Sequence, residues 1–363
     1  MGPMGNIHAV QIHPTRRCNL RCLHCYSSSS PSATEALHID TLRTALDDLA
    51  EENYNWASFS GGEPLVYTPL PTALAHAKRV GMNTAVVSNG MLLTPRRLDL
   101  IEEHTDLLVI SLDGKPRSHN RIRNSDKAFD TMAAKLPELQ ARGIRFGFLF
   151  TLTQHNLDEL PWVIEFAVNV GARLVQIHPL EYFGNATTQL AGSAPDAIEG
   201  AHAWLIAEKL KQTLAGQMAL QVDLVHTNAL QQQPESFFLD NLEGRRDTRL
   251  GSLLSPLVIE PDGEVLPLEY GFPRNYSLGN LGRQRIPDMA ATWRSGLGRR
   301  FHALCKGLHE SLTRSGEAKF FNWYEQIATA AGQEQLRRSA SSRKTFSIPV
   351  VAETARPAAP RVV

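Results

Sequence analysis

The strongest restriction on how this chain can fold is a repeated alternation. From residue 7 to about residue 215, a short apolar run gives way six times to a longer run with helical period. The short runs are HAVQIHP (8–14), WASFS (56–60), NTAVVS (83–88), LLVISLDG (107–114), FGFLFTLT (146–153) and LVQIHPLE (174–181). Helical patterns follow them near 40–51, 68–80, 94–103, 127–142, 157–170 and 196–214. Several of the short runs are β-branched and apolar almost throughout, as in parallel strands covered on both faces. Six such units in series predict an α/β chain with right-handed crossovers. They are too few for a closed eight-stranded barrel. A partial (β/α)6 TIM-like barrel and an open doubly wound sheet both satisfy the pattern, and both gather their chemistry on loops at the C-terminal strand ends.

The unusual residues lie on those loops. CNLRCLHC follows the first strand, GGEP the second and SNG the third, while SLDG ends the fourth and HPLE the sixth. One shared site is predicted. Cys18, Cys22 and Cys25 place three of the four cysteines within eight positions. That clustering is a poor disulfide framework and suits metal or cluster ligation in a reducing compartment. The loop is too polar, with Arg17, Asn19, Arg21 and His24, to be a core segment. Structural zinc would need a fourth ligand, and only His24 or the distant Cys305 offers one. Three thiolates without a partner instead suit a [4Fe–4S] cluster with one iron left open, a departure from the usual four-thiolate set.

Composition sets the remaining bounds. The formal net charge of +0 gives no electrostatic footprint for nucleic acid. No apolar run approaches a membrane span, and no basic-then-apolar leader opens the sequence, so a cytoplasmic protein without membrane contacts is expected. Past residue 216 the pattern changes to a strand at 220–225, a hairpin over 257–270 turning at Pro261-Asp262-Gly263, and helices around Trp293 and over 317–331. Domains over 1–215 and 216–334 are expected, the second a small α+β extension, with a disordered Ser-, Arg-, Pro- and Ala-rich tail over 335–363.

These motifs resemble the radical S-adenosylmethionine (radical SAM) superfamily. CNLRCLHCY matches its C-x3-C-x-aromatic-C signature, with His24 in the aromatic position. FSGGEPL (59–65), SNG (88–90) and ISLDG (110–114) match its motifs after strands two, three and four, and the resemblance spans roughly residues 8–185. It implies that Cys18, Cys22 and Cys25 hold three irons of a [4Fe–4S] cluster while SAM chelates the fourth. Gly61, Gly62, Glu63 and Pro64 would receive the methionine moiety, with Glu63 accepting from its ammonium. Ser88, Asn89, Ser111 and Asp113 would reach the carboxylate or ribose, Arg123 the carboxylate, and His24 the adenine. A reductant such as flavodoxin or ferredoxin would drive cleavage to a 5′-deoxyadenosyl radical, which abstracts hydrogen from substrate. The implied substrate is a peptide or natural-product precursor. A small sugar or nucleoside intermediate is the second reading, and a non-catalytic zinc-binding interaction protein is the third.

PDGEVLPLEY followed by YSLGNLG (276–282) resembles a SPASM-type extension, but Leu268 stands where a cluster cysteine is expected. Cys305 is the only cysteine in the second half, so the extension is read as lacking auxiliary clusters. Cys305 is then either a buried core residue or a hydrogen donor to a substrate radical. His178 and Glu181, ending strand six, either position substrate and move a proton or are ordinary loop residues.

Overall fold

The computed structural model describes residues 7–238, 248–315 and 319–344. The strands in chain order are β1 (Ala9–Ile12), β2 (Trp56–Phe59), β3 (Asn83–Ser88), β4 (Leu107–Ser111), β5 (Phe146–Leu152), β6 (Leu174–Pro179) and β7 (Ala219–Val222). After them come β8 (Val225–His226), β9 (Leu257–Ile259), β10 (Glu264–Pro267), β11 (Gly279–Asn280) and β12 (Phe320–Phe321). The helices that cover the first strands are α1 (Ile39–Glu51), α2 (Leu70–Arg79), α3 (Pro95–His104), α4 (Pro116–Arg123), α5 (Ala128–Ala133) and α6 (Leu136–Ala141). Beyond them lie α7 (Leu160–Asn169), α8 (Ala186–Gln189), α9 (Ala197–Thr213), α10 (Ala229–Gln232), α11 (Ile286–Thr292), α12 (Gly298–Ser315) and α13 (Trp323–Lys344).

All six expected strands form, and they pair in parallel in sequence order. Their residues explain it. Phe146, Phe148 and Phe150 of β5 are buried among core residues, and a Cβ on Gly147 would lie 2.7 Å from the Leu174 carbonyl, so glycine lets β6 approach. In α1, Leu42, Ala45, Leu46 and Leu49 recur at helical spacing and turn one buried stripe to the sheet. The helix expected over 127–142 is instead two short ones. Pro137 lacks the amide that would continue the hydrogen-bond ladder, so α5 ends and α6 begins around it.

The expected boundary at residues 215 and 216 runs through a continuous structure. β7 pairs in parallel with β6, adding a seventh strand to the series. At the other edge β9 lies parallel to β1, pairing Val10 with Leu257 and Ile12 with Ile259, and β10 and β11 follow antiparallel. Among the described residues one sheet therefore runs β11-β10-β9-β1-β2-β3-β4-β5-β6-β7. The expected tail also begins later, because α13 continues through Gln335 to Lys344; residues 345–363 lie outside the described residues.

That sheet curls strongly. Strands spaced about 4.8 Å apart would put β9 roughly 29 Å from β6 if the sheet were flat. Yet a Cβ on Gly271, just after β10, would lie 3.6 Å from the Phe183 ring, just after β6. Only a barrel-like curvature brings these two loops together, which decides for the partial barrel over the open sheet.

The extension is fixed to the outer end of α1. Asp48, 2% exposed, accepts from Arg285 Nε at 2.7 Å and from the Ile286 amide at 3.2 Å. Glu52 accepts from the Leu250 amide at 2.7 Å and from Arg294 at 3.2 Å, and the Tyr54 hydroxyl donates to the Leu254 carbonyl at 2.8 Å. Asp48→Asn keeps the shape but removes the charge. It is expected to destabilise the chain by about 1–3 kcal/mol, read as a lower urea midpoint at unchanged slope.

Candidate functional site

The cysteine loop is held by continuation of the β1–β2 ladder beyond the strand ends. The Ser60 amide donates to the Ile12 carbonyl (2.8 Å), the Gly62 amide to Thr15 (2.9 Å) and the Glu63 amide to Arg17 (3.0 Å). From the other side the Cys18 amide donates to the Ser30 carbonyl at 3.0 Å. The two glycines are what this contact requires. A Cβ on Gly61, whose φ is +101°, would lie 2.9 Å from the Thr15 carbonyl, and one on Gly62 would fall inside the Arg17 carbonyl. The glycines admit the cysteine loop's own backbone.

Glu63 is fully buried, and Pro64 starts a tight turn directly after it. Its carboxylate accepts from the Ser88 hydroxyl (2.9 Å), the Asn89 amide (2.9 Å) and the Leu65 amide (3.2 Å). Asn89 in turn donates from Nδ2 to Asn19 Oδ1 at 2.8 Å and faces Cys18 Sγ at 3.9 Å. Glu63, Ser88 and Asn89 thus form one unit that reaches from β2 and β3 to the cysteines.

A second unit supports the loop from β4. Asp113 is fully buried and accepts from Arg123 Nε at 2.6 Å, while Arg123 Nη1 faces Cys22 Sγ at 3.8 Å. Burial works to raise the Asp113 pKa, but the Arg123 guanidinium, then His24 and His119, hold it down at about 2. His24 Nε2 lies 3.8 Å from Asp113, its Nδ1 is buried without a partner, and burial lowers its pKa to about 4. Ser111 is buried at the end of β4. The pair with Asp113 is where the structure places Arg123. Both arginine and His119 lie on α4, which the sequence reading lacks. Its signal is Pro116 in the first helical turn after the Asp113-Gly114 loop end.

The three loop thiols gather with Leu20 and Met91 in a small apolar group separate from the main core. Each sulfur meets a polar N–H: the Leu20 amide lies 3.4 Å from Cys18, the Ser29 amide 3.3 Å from Cys25, and Arg123 faces Cys22. Such donors tune the potential of thiolate-bound iron. Burial raises the Cys18 thiol to about 12 and the Cys22 thiol to about 11, and their neighbouring thiols oppose a second charge. A cationic metal centre is what this set needs to hold thiolates. Among the described residues, no three His, Cys, Asp or Glu side chains are placed to hold a single metal ion. Three neighbouring soft thiolates are a donor set that suits an iron–sulfur cluster.

Cys305 is elsewhere. It is fully buried on α12 in the main core with Phe301 and Leu312, its thiol pushed up by burial, and it does not join the loop thiols. His178 and Glu181 are both engaged. His178 Nδ1 is 2.8 Å from Asp223 and its Nε2 is 3.3 Å from Glu181, which accepts from Asn322 at 2.7 Å. Asp223 follows β7, so the strand-end rule would have found it had that strand been counted in the barrel. The next loop returns to the cysteines, where Asn185 donates its amide to the Cys25 carbonyl (2.9 Å) and its Nδ2 to the Cys22 carbonyl (3.0 Å).

Known proteins resemble this chain in sequence or in fold. The Fe-coproporphyrin III synthase of Methanosarcina barkeri is 30% identical over 175 residues, 48% of this chain but only 44% of that protein. A PqqA peptide cyclase of Ruegeria pomeroyi is 29% identical over 286 residues, covering 77% of this chain and 71% of the relative. The fold matches that of anSMEcpe, solved with bound AdoMet and a Cp18Cys peptide, at a TM-score of 0.62 and 15% identity over 93% of this chain and 98% of that one. No helix among the described residues is long and apolar enough to cross a membrane. Residues 12–167, the stretch that holds the cysteine pocket and its GGEP clamp, match the profile of the Radical SAM superfamily.

Proposed function

We propose that the chain is a radical SAM enzyme that modifies a peptide. The observation that carries the radical reading is the pocket of three thiols, each facing an N–H donor and locked to the GGEP loop by backbone bonds. In this reading Cys18, Cys22 and Cys25 hold a [4Fe–4S] cluster, and SAM takes the remaining iron. Together these groups supply hydrogen-atom abstraction from an unactivated carbon when reduced by a donor such as flavodoxin or ferredoxin. The protein's part is placement. Asn89 and Arg123 direct donors at two of the sulfurs, and the Glu63 and Asp113 carboxylates fix those donors in turn.

The peptide substrate is supported by how far each relative matches. The coproporphyrin enzyme aligns over 175 residues, whereas the peptide cyclase aligns over 286 and so reaches into the extension. The extension keeps the β9–β10 hairpin with Leu268 where the resemblance places a cysteine, and we read it as a cluster-free SPASM-like element contributing to the substrate side. Cys305, enclosed in the core, is a packing residue in this reading.

Anaerobic reconstitution tests the radical reading. Wild-type protein is expected to bind iron and sulfide, absorb broadly near ~400 nm and form 5′-deoxyadenosine from SAM under dithionite. Cys22→Ala should abolish that product. A colourless zinc protein that makes none would overturn the assignment. Gly62→Ala leaves every cysteine in place but drives a methyl group into the Arg17 carbonyl. Its retained iron per chain should fall severalfold while far-UV circular dichroism is unchanged. Cys305→Ala should lower thermal stability by opening a small core cavity, yet leave 5′-deoxyadenosine formation at the wild-type rate.

A further inference from the structure

A second group of titratable side chains lies one loop away from the cysteines. It takes His178 and Glu181 from the end of β6, Asp223 from the end of β7, Glu269 from the turn after β10 and Glu325 from the first turn of α13. His178 bridges Asp223 and Glu181, and Asn322 secures Glu181 from the far side. Burial opposes a charge on His178, but these two carboxylates raise its pKa well above the ordinary value and keep it protonated. One imidazolium then faces four carboxyl groups. Among the described residues His178 is the one basic partner they have.

Glu269 is the exceptional member. It is 8% exposed, and neither of its carboxyl oxygens has a hydrogen-bond partner. A tight turn sets it there, with Leu268 at a φ of +65° and the Glu269 amide donating to the Pro267 carbonyl at 2.8 Å. Burial first, then the charges of Glu181 and Glu325, push its carboxyl well above the ordinary range, with His178 opposing. Glu325 is raised to about 7 by burial and by Glu181. Leaving a buried carboxyl without partners is costly, a penalty that an incoming donor would relieve. The raised carboxyls favour their neutral form in the free protein, and a cation entering among them would displace that proton and supply the partner that the Glu269 oxygens lack.

The site also adjoins the cysteine pocket. Tyr270, next to Glu269, meets Tyr26, next to Cys25, at a ring separation of 5.4 Å. The loop leaving Glu181 reaches Gly184, which lies against the Tyr26 carbonyl, and Asn185, which holds the Cys22 and Cys25 carbonyls. We propose that the Glu181–Asp223–Glu269–Glu325 group, with His178 as its fixed wall, anchors an ammonium or guanidinium group of the substrate beside the radical centre. This assignment rests on the peptide reading above and narrows it to peptides with a basic side chain near the modified residue.

The test uses the full chain, anaerobically reconstituted with SAM, and ligand-observed NMR titration. Three probes are compared: Nα-acetyl-lysine methylamide, its uncharged counterpart Nα-acetyl-norleucine methylamide, and n-butylamine. The lysine probe should bind more tightly than the norleucine probe, and Glu269→Gln should weaken it about tenfold or more. Glu325→Gln, at a partly exposed position, should weaken it in the same direction and guards against misfolding of the first variant. Equal binding of the lysine and norleucine probes, or no effect of either substitution, overturns the cation site. Preference for n-butylamine over the lysine amide keeps the cation site but overturns the peptide reading. Formation of 5′-deoxyadenosine by the same wild-type sample is scored separately, so failure of the radical reading and failure of the anchor are told apart.

Discussion

Two backbone hydrogen bonds, from the Gly62 amide to Thr15 and from the Glu63 amide to Arg17, are the constraint on which the rest of the site depends. Each contributes only about 0.5–1.5 kcal/mol net, so their importance is geometric. They extend the parallel β1–β2 register past the point where regular strand ends, and so fix Arg17, the residue before the first cysteine, relative to the sheet. Gly62 makes this possible because any side chain there would occupy the Arg17 carbonyl. The register then passes outward through Glu63 to Ser88 and Asn89 on β3, and from Asn89 back to Asn19 inside the cysteine loop. Three adjacent strands agree on the position of one loop.

The support from β4 is of another kind. Asp113 and Arg123 form a buried ion pair, and such a pair is weak evidence of stability because desolvation offsets most of the attraction. Its value here is placement. The Asp113 carboxylate orients the guanidinium so that a second N–H faces the Cys22 sulfur. Removing either partner would leave an uncompensated buried charge, commonly about 3–5 kcal/mol of destabilisation. The site thus joins neutral backbone clamping on one side with a charged brace on the other, and the thiols lie between them.

Much of this was legible in the sequence, for a physical reason. In a parallel sheet every strand points its C-terminal end the same way, so odd residues just after apolar runs must share a mouth. That rule places the cysteines, GGEP, Ser88-Asn89 and Asp113 at one mouth, and the clustering of the thiols and the motif resemblance single them out there. Other features were hidden. PRSHNRIR in α4 has no apolar stripe to announce a helix, since the residues it buries include His119 and Arg123. ALQV in β7 is short and half exposed, so its membership in the barrel is visible only through its pairing with β6. The contact of Gly61 and Gly62 with the cysteine loop was hidden because a glycine's freedom does not reveal which backbone approaches it. Glu269 and Glu325 were invisible, because nothing local in LEY or WYE indicates a buried carboxyl.

The curl of the sheet accounts for that last group. β9 and β10 join the sheet beside β1, whereas His178 and Glu181 end β6 at the opposite flank. In a flat sheet the extension could meet only one of these edges. Because the sheet closes toward a barrel, the turn after β10 comes round to the loop after β6, and Gly271 reaches Phe183. The start of α13 contributes Asn322 and Glu325 to the same corner, next to the β8–β12 pair that follows β7. The extension therefore spans the open side of the partial barrel from one edge to the other. Its carboxyl groups face strand six where the chain's own cysteine loop supplies the neighbouring wall. The extension, with Leu268 where the resemblance places a cysteine, brings the Glu269 and Glu325 carboxyls to this corner instead.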